Sequence, residues 1–206
     1  LLLISASPIE NSSTELLLRR IADSIASVLP DTNCEIVHLN DLKFRPCQAC
    51  GEAPQDGFCI YDDDLTSVYK QVAECDCLLF GTPIYFDTVS AQAKMFIDRC
   101  NCFRPPDYDD REPDHDFIKL LDRERPGAMV LVGGKRGWFE GARRVVAGFF
   151  KWIEVVNLGQ LCFASDDFRR AGLAAEDAKI LAEADELGRR LAEDIAGRKH
   201  SKDDPK

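Results

Sequence analysis

The sequence contains no apolar run approaching the roughly 18–20 residues that span a bilayer, so no membrane insertion by a helix is expected. It also has too little positive charge for a polyanionic partner. Its 26 Lys and Arg stand against 36 Asp and Glu, a net charge of −10, whereas nucleic acid and anionic membranes select for basic faces. The opening Leu1-Leu2-Leu3-Ile4-Ser5 lacks a basic region and reaches a polar turn too soon for a signal peptide. A cytoplasmic location is expected on that ground, with room for residues upstream because the first residue is not Met. Histidine is scarce, three residues in all, and His38 and His200 have no legible partner. No His–carboxylate or Ser–His constellation is seen. No Gly-Lys-Ser/Thr phosphate loop, Gly-x-Gly-x-x-Gly fingerprint or internal repeat is present.

What is present suits one α/β domain. The 206 residues, 45% of them hydrophobic, can bury a sizeable core without metals or disulfides. Nine cysteines are an odd number and an unusually large one. Without a secretion signal they read as reduced thiols, some available to a metal or cluster, rather than as a disulfide framework.

Along the chain, the apolar run Leu1 to Ile4 predicts a strand buried on both faces. A Ser-rich turn follows. Leu16, Leu17, Ile21, Ile25 and Val28 then mark one face of a helix, with Ser13 or Thr14 as its N-cap. A second strand is expected over 34–39, and 42–60 is an irregular, cysteine-bearing loop without a clean period. Asp62-Asp63-Asp64 opens a helix whose positive end suits carboxylates. Strands are expected over 76–81, 127–132 and 158–163, and helices over 89–102, 139–154 and 175–196. Residues 199–206 read as a charged tail, leaving 1–198 as the folded domain.

Five buried strands alternating with helices predict a doubly wound, three-layer α/β fold with a five-stranded parallel sheet, in the flavodoxin-like order 2-1-3-4-5. Ligands of such sheets sit beyond the carboxyl ends of the strands, where the strand order reverses. Three loops must meet there. The first, Ser7 to Thr14, offers the hydroxyls of Ser7, Ser12, Ser13 and Thr14 and the Asn11 amide around a helix N-terminus, a neutral donor set for a phosphate. A plain helix cap is the competing reading. The second, Gly81 to Ser90, places Pro83, Ile84, Tyr85 and Phe86 at the crevice, either as plates for a flat ring or as core aromatics. The third, with Gly133, Gly134 and Gly137, allows close backbone approach to a ligand.

These residues resemble a known family. Ser7-Pro8 through Asn11 to Thr14, Cys47-x-x-Cys50, Gly57-x-Cys59 and Asp62-Asp63-Asp64-Leu65 are similar to the flavodoxin-like NAD(P)H-dependent FMN reductases. So are Gly81-Thr82-Pro83-Ile84-Tyr85, Val89-Ser90-Ala91-Gln92 and Lys94-x-Phe96-Ile97-Asp98-Arg99. Within that superfamily the likeness is to the cysteine-bearing branch, the iron–sulfur flavoproteins, over most of residues 1–165. The resemblance implies bound FMN, NAD(P)H as electron donor, a small-molecule acceptor such as a quinone or a flavin, and a homodimer or homotetramer. It implies that Ser7, Asn11, Ser13 and Thr14 hold the phosphate and that Pro83 to Phe86 hold the isoalloxazine. Gly133 to Gly137 are expected to close its pyrimidine side. The family usually has a basic residue near Ile9-Glu10, and here that pair is apolar and acidic.

The resemblance also bears on the cysteines. Family members with a cluster carry a compact run of four; Cys47, Cys50 and Cys59 match, but Ala53 stands at the third position. A 4Fe–4S cluster needs four thiolates. Bare thiols, a zinc site or a redox disulfide compete with a cluster completed by Cys100 or Cys102. The acidic, Pro-containing insertion 104–125 is longer than an ordinary connection and fits a lid or a subunit contact; its carboxylates match no EF-hand pattern. Selectivity between NADH and NADPH is expected to be low, set by this insertion and Arg136. The function expected is FMN-dependent oxidoreduction with NAD(P)H, with chemistry at the flavin rather than at a catalytic side chain. An electron carrier without pyridine-nucleotide turnover is the alternative.

Overall fold

The computed structural model describes residues 1–50, 58–103, 121, 123–135, 137–167 and 170–202, with backbone alone for 199–202. Ala53, Arg136 and most of the insertion lie outside the described residues.

Short runs such as Leu2–Ser5 can be buried on both faces only in the middle of a sheet, and that is where they lie. The strands are β1 (Leu2–Ser5), β2 (Glu35–His38), β3 (Leu78–Tyr85), β4 (Thr88–Val89), β5 (Arg125–Gly133) and β6 (Val155–Ala164). The helices are α1 (Ser13–Val28), α2 (Leu65–Glu74), α3 (Ala91–Arg99), α4 (Glu140–Trp152) and α5 (Ala178–Lys202). The parallel order is β2-β1-β3-β5-β6, and β4 pairs antiparallel with β3 outside that path. With the small hairpin strand set apart, this is the expected flavodoxin-like order.

Alternation along each strand sends neighbouring side chains to opposite faces. Leu2, Ile4, Leu78, Phe80, Met129 and Leu131 enter one core, with Val68 and Val72 of α2, Phe96 of α3 and Phe149 of α4. Leu3, Leu79, Ala128 and Val130 enter the other, under Leu17, Leu18 and Ile21 of α1 and Leu187 and Leu191 of α5. Each fully buried Leu or Phe contributes about 1.5–3 kcal/mol of transfer free energy.

Several expected boundaries move. The α1 N-cap is Ser12, whose hydroxyl accepts from the Glu15 N–H at 3.3 Å, not Ser13 or Thr14. Residues 81–85, read as a turn, continue β3: Gly81, Thr82 and Pro83 pair with Val130, Leu131 and Val132. A Pro fits here because β1 has already ended opposite Gly81, so no ladder bond is lost on that side. β5 begins at Arg125, inside the stretch assigned to the insertion. Helix α5 extends to Lys202, past the expected start of the tail. No described helix is long and apolar enough to cross a membrane.

Candidate functional site

The loop after β1 is tied down from several sides by uncharged hydrogen bonds. Ser7 Oγ accepts from the Ile9 N–H (3.2 Å) and donates to the Ile9 carbonyl (3.3 Å). Ser13 Oγ accepts from the Ala174 N–H (3.1 Å), which joins the loop to a short turn, Leu173–Glu176, ahead of α5. Asn11 has a left-handed backbone (φ 52°), and Gly172 (φ 69°) lies so close that a Cβ there would stand 3.0 Å from the Asn11 carbonyl. Sequence reading missed this Gly172–Ala174 support, because it comes from 161 residues away.

After those bonds are made, donors remain. The N–H groups of Ser13 and Thr14, in the first turn of α1, reach no protein acceptor among the described residues, and the Thr14 hydroxyl makes no hydrogen bond there either. Both residues are buried. First-turn N–H groups backed by the helix dipole favour an anion. The donor set is neutral and fits a phosphate dianion, and Glu10, the acidic departure from the family pattern, points outward as an exposed residue. On the β2 side the same loop, through Ser7, Glu10 and Asn11, also lines a cleft of about 330 Å³ whose other walls carry Glu15, His38, Asn40 and Asp41.

The second loop is a hairpin. Ile84 pairs with Val89 and Tyr85 with Thr88, so Phe86 and Asp87 form a two-residue turn. Both have positive φ, 50° and 59°, as a type I′ hairpin turn requires, although neither is the usual Asn or Gly. Holding a bulky side chain there costs about 1–2 kcal/mol. Phe86 is fully exposed and Tyr85 partly so. They are therefore not core aromatics; they stand at the mouth of the crevice.

The three loops are joined to one another. Ser90 Oγ donates to the Ala6 carbonyl at 2.8 Å and Thr82 Oγ accepts from the Ser90 N–H at 3.1 Å, linking the hairpin to the first loop. A Cβ on Gly81 would stand 2.6 Å from the Thr14 methyl, so α1 packs directly on β3. On the other side the Trp138 N–H donates to Asp87 Oδ1 at 2.9 Å. Gly133 and Gly137 both lie against Ile84, and a turn closes between the Gly137 N–H and the Gly134 carbonyl at 2.8 Å. Gly141 is required, since a Cβ would stand 2.1 Å from the Asp87 carbonyl. The expected phosphate, ring and glycine loops thus form one connected rim. Trp138, 71% exposed on that rim, was not among the expected site residues.

The cysteine loop leaves the same end of the sheet. Its anchor is Arg99, 2% exposed. Arg99 donates to Asp63 through Nη1 (2.7 Å) and Nη2 (3.2 Å), to the Arg45 carbonyl (2.7 Å), and to Cys59 Sγ (3.5 Å). Burial opposes its charge, but the Asp63 hydrogen bond, Tyr69 and Cys59 hold its pKa above the usual value. Cys47 and Cys59 are half-buried and Cys50 is exposed; Cys100 and Cys102 are buried, and burial drives both thiols well above their ordinary pKa. Among the described residues no three His, Cys, Asp or Glu side chains converge as a metal site. Arg99 donates to Cys59; Cys100 and Cys102 are buried; and residues 51–57, Ala53 among them, lie outside the described residues.

With this geometry in view, the comparisons with known proteins are decisive for the family. The model of the NADPH-dependent FMN reductases matches residues 1–169. The chain belongs to that family. FMN is its cofactor and NAD(P)H the electron donor of the family. An iron–sulfur flavoprotein of Methanocaldococcus jannaschii is 32% identical over 157 residues, covering 76% of this chain and 74% of that protein. A Bacillus subtilis protein named for NAD(P)H-dependent, FMN-containing oxidoreduction is 33% identical over 110 residues, covering 53% of this chain and 56% of its own length. Among solved structures, a flavone reductase superposes with a TM-score of 0.66 at 15% identity, covering 97% of this chain and 64% of that one. At that identity the superposition shows the fold alone.

Proposed function

We propose that this member of the family takes electrons from NAD(P)H through bound FMN and passes them to a small-molecule acceptor, a quinone or a free flavin. The observation that carries the reading is the connected rim around unpaired anion donors at the α1 N-terminus. Ser7, Asn11, Ser12, Ser13 and Thr14 hold the phosphate, with the Ser13 and Thr14 N–H groups and the Thr14 hydroxyl as direct donors. Ser7, Ser12 and Ser13 hydroxyls keep the loop in shape through their own bonds. Pro83, Ile84, Tyr85 and Phe86 support the ring on a hairpin whose tip is fixed by Trp138 and Gly141. Gly133, Gly134 and Gly137 admit the polar edge of the ring against the backbone.

FMN supplies hydride acceptance and the release of electrons singly or in pairs, so the protein's task is to bind, orient and shield. No side chain on the rim is assigned a proton transfer. The exposed Phe86 and Trp138 favour a homodimer or homotetramer in which a second copy covers the crevice mouth.

The test is steady-state oxidation of NADH and of NADPH by FMN-loaded protein, with a quinone as acceptor. Turnover with either nucleotide is expected. Flavin-loaded protein inert to both would favour the electron-carrier reading, to which the net charge of −10 lends an acidic docking surface.

A further inference from the structure

At the opposite end of the sheet a thiol and a buried cation share one acceptor. Cys75 caps the C-terminus of α2, its N–H donating to the Gln71 carbonyl at 3.0 Å. Its Sγ donates to the Val72 carbonyl at 3.5 Å. The same carbonyl accepts from Arg125 Nη2 at 2.7 Å. Sulfur and guanidinium therefore stand side by side. Arg125 is 1% exposed, makes no ion pair among the described residues, and leaves both Nε and Nη1 buried without an acceptor.

An arginine keeps its charge at any physiological pH. Buried donors without acceptors are costly, and a buried cation without an anion more so. The neighbours do not supply that anion. Arg123 is a second cation, engaged with Asp76 at 2.7 Å and with the Glu74 and Cys75 carbonyls. Glu154 contributes its carbonyl to the Arg125 N–H at 3.1 Å, and its charge raises the guanidinium pKa less than Cys75 does. Burial pushes the Cys75 thiol up and Arg125 offsets this only in part, so its pKa stays above the usual value; burial likewise lowers Arg125, and Cys75 opposes that. The group the site is missing is an oxygen-bearing anion at the position of the sulfur.

We propose that Cys75 is a site of oxidation by peroxide, whose sulfenate is retained by Arg125. The thiolate sulfur attacks one peroxide oxygen. An S–O bond forms, the O–O bond breaks, and the departing hydroxide takes up the proton shed by the thiol, giving a sulfenic acid and water. Loss of the sulfenic proton to water then leaves the sulfenate. Sulfur is oxidised by two electrons and peroxide is reduced by two. The new oxygen accepts from the Arg125 donors left unpaired in the reduced protein. Cys75 is half-buried as a residue, while the guanidinium beneath it is sealed. Other cysteines lack this combination. The cations near the exposed Cys34 and Cys162 are the Leu1 ammonium, Arg19 and Arg143; the ammonium donates to the Asn33 carbonyl, and the two arginines are solvent-exposed and paired with Glu15 and Glu140. Arg99, beside Cys59, is already neutralised by Asp63.

The experiment exposes FMN-loaded protein to hydrogen peroxide, traps sulfenic acid with dimedone, and maps the adducts by peptide mass. Cys75 is expected to hold about tenfold more trapped sulfenate than Cys34, Cys59 or Cys162, the scale of a charge-assisted hydrogen bond. Arg125→Met, with circular dichroism confirming the fold, is expected to bring Cys75 down to the level of the others. Should that variant fail to fold, the wild-type map still decides. Equal labelling across the cysteines, an unmodified Cys75, or a Cys75–Cys77 disulfide in place of the adduct each overturns the proposal. So does full retention in a folded Arg125→Met protein.

Discussion

The loops after β1 and after β2 leave the same end of the sheet, yet they are held by opposite means. The first is fixed by many uncharged hydrogen bonds and by close approach of main chain, as between Asn11 and Gly172. The second is gathered by one buried guanidinium, which holds the Arg45 carbonyl, Asp63 and Cys59, with the Lys43 N–H on the Asp64 carboxylate as a further tie. Distributed neutral bonding leaves main-chain donors to spare at the head of α1, so the first loop can present them to an anion. Concentrated ionic bonding uses the cation internally, so the second loop has little left for a ligand.

The comparison breaks first at its ionic side. Asp63→Ala removes the only carboxylate paired with Arg99 among the described residues and leaves a cation 2% exposed. A loss of about 3–5 kcal/mol is expected, because an uncompensated buried charge is worse than no pair at all. Urea unfolding measures it, and a loss below about 1 kcal/mol, the range of surface pairs, would show that the loop has other anchors.

The neutral side separates into a structural and a ligand-facing hydroxyl. Ser13→Ala strands the buried Ala174 N–H, so a loss of about 1–3 kcal/mol is expected. Thr14→Val keeps the methyl that packs on Gly81 and removes only the hydroxyl. It is expected to weaken FMN by about tenfold while shifting stability by less than 1 kcal/mol. Flavin titration against the apoprotein, run beside urea unfolding, distinguishes the two. If Ser13→Ala and Thr14→Val move the same quantity, the division of roles is wrong.

What was legible in the residues, and what was not, follows the same line. Buried strands announce themselves through runs such as Cys77-Leu78-Leu79-Phe80, and the parallel order then fixes which loops meet. The hairpin at Phe86-Asp87 was not legible, because its turn lacks the Asn-Gly or Gly signal and its φ values are imposed by contacts from Trp138 and Gly141. The N-cap was read as Ser13 or Thr14, but it is Ser12, because Ser13 turns its hydroxyl to the distant Ala174 N–H. Sequence order also hid the pairing of Arg99 with Asp63, since both read equally well as exposed helix-end charges. A lone aromatic after a glycine run gave no signal that Trp138 would stand on the rim.

The smallest expected change concerns iron. Cys47, Cys50 and Cys59 follow the spacing of a cluster loop, but Ala53 takes the place of one thiolate and Cys59 accepts from Arg99. A cluster bound there would lack a full set of four thiolates from this loop. Protein prepared and reconstituted without oxygen is therefore expected to retain little iron or sulfide, with an absorption spectrum of flavin alone. Ala53→Cys restores the missing thiolate and is expected to raise both, whereas Arg99→Met alone is not, because it frees Cys59 without supplying the fourth ligand. Stoichiometric iron and sulfide in the unmodified protein would reverse the contrast between the two loops. The ionic loop would then be the one that holds a redox centre, and single-electron transfer to a protein partner would displace the small-molecule acceptor as the better reading.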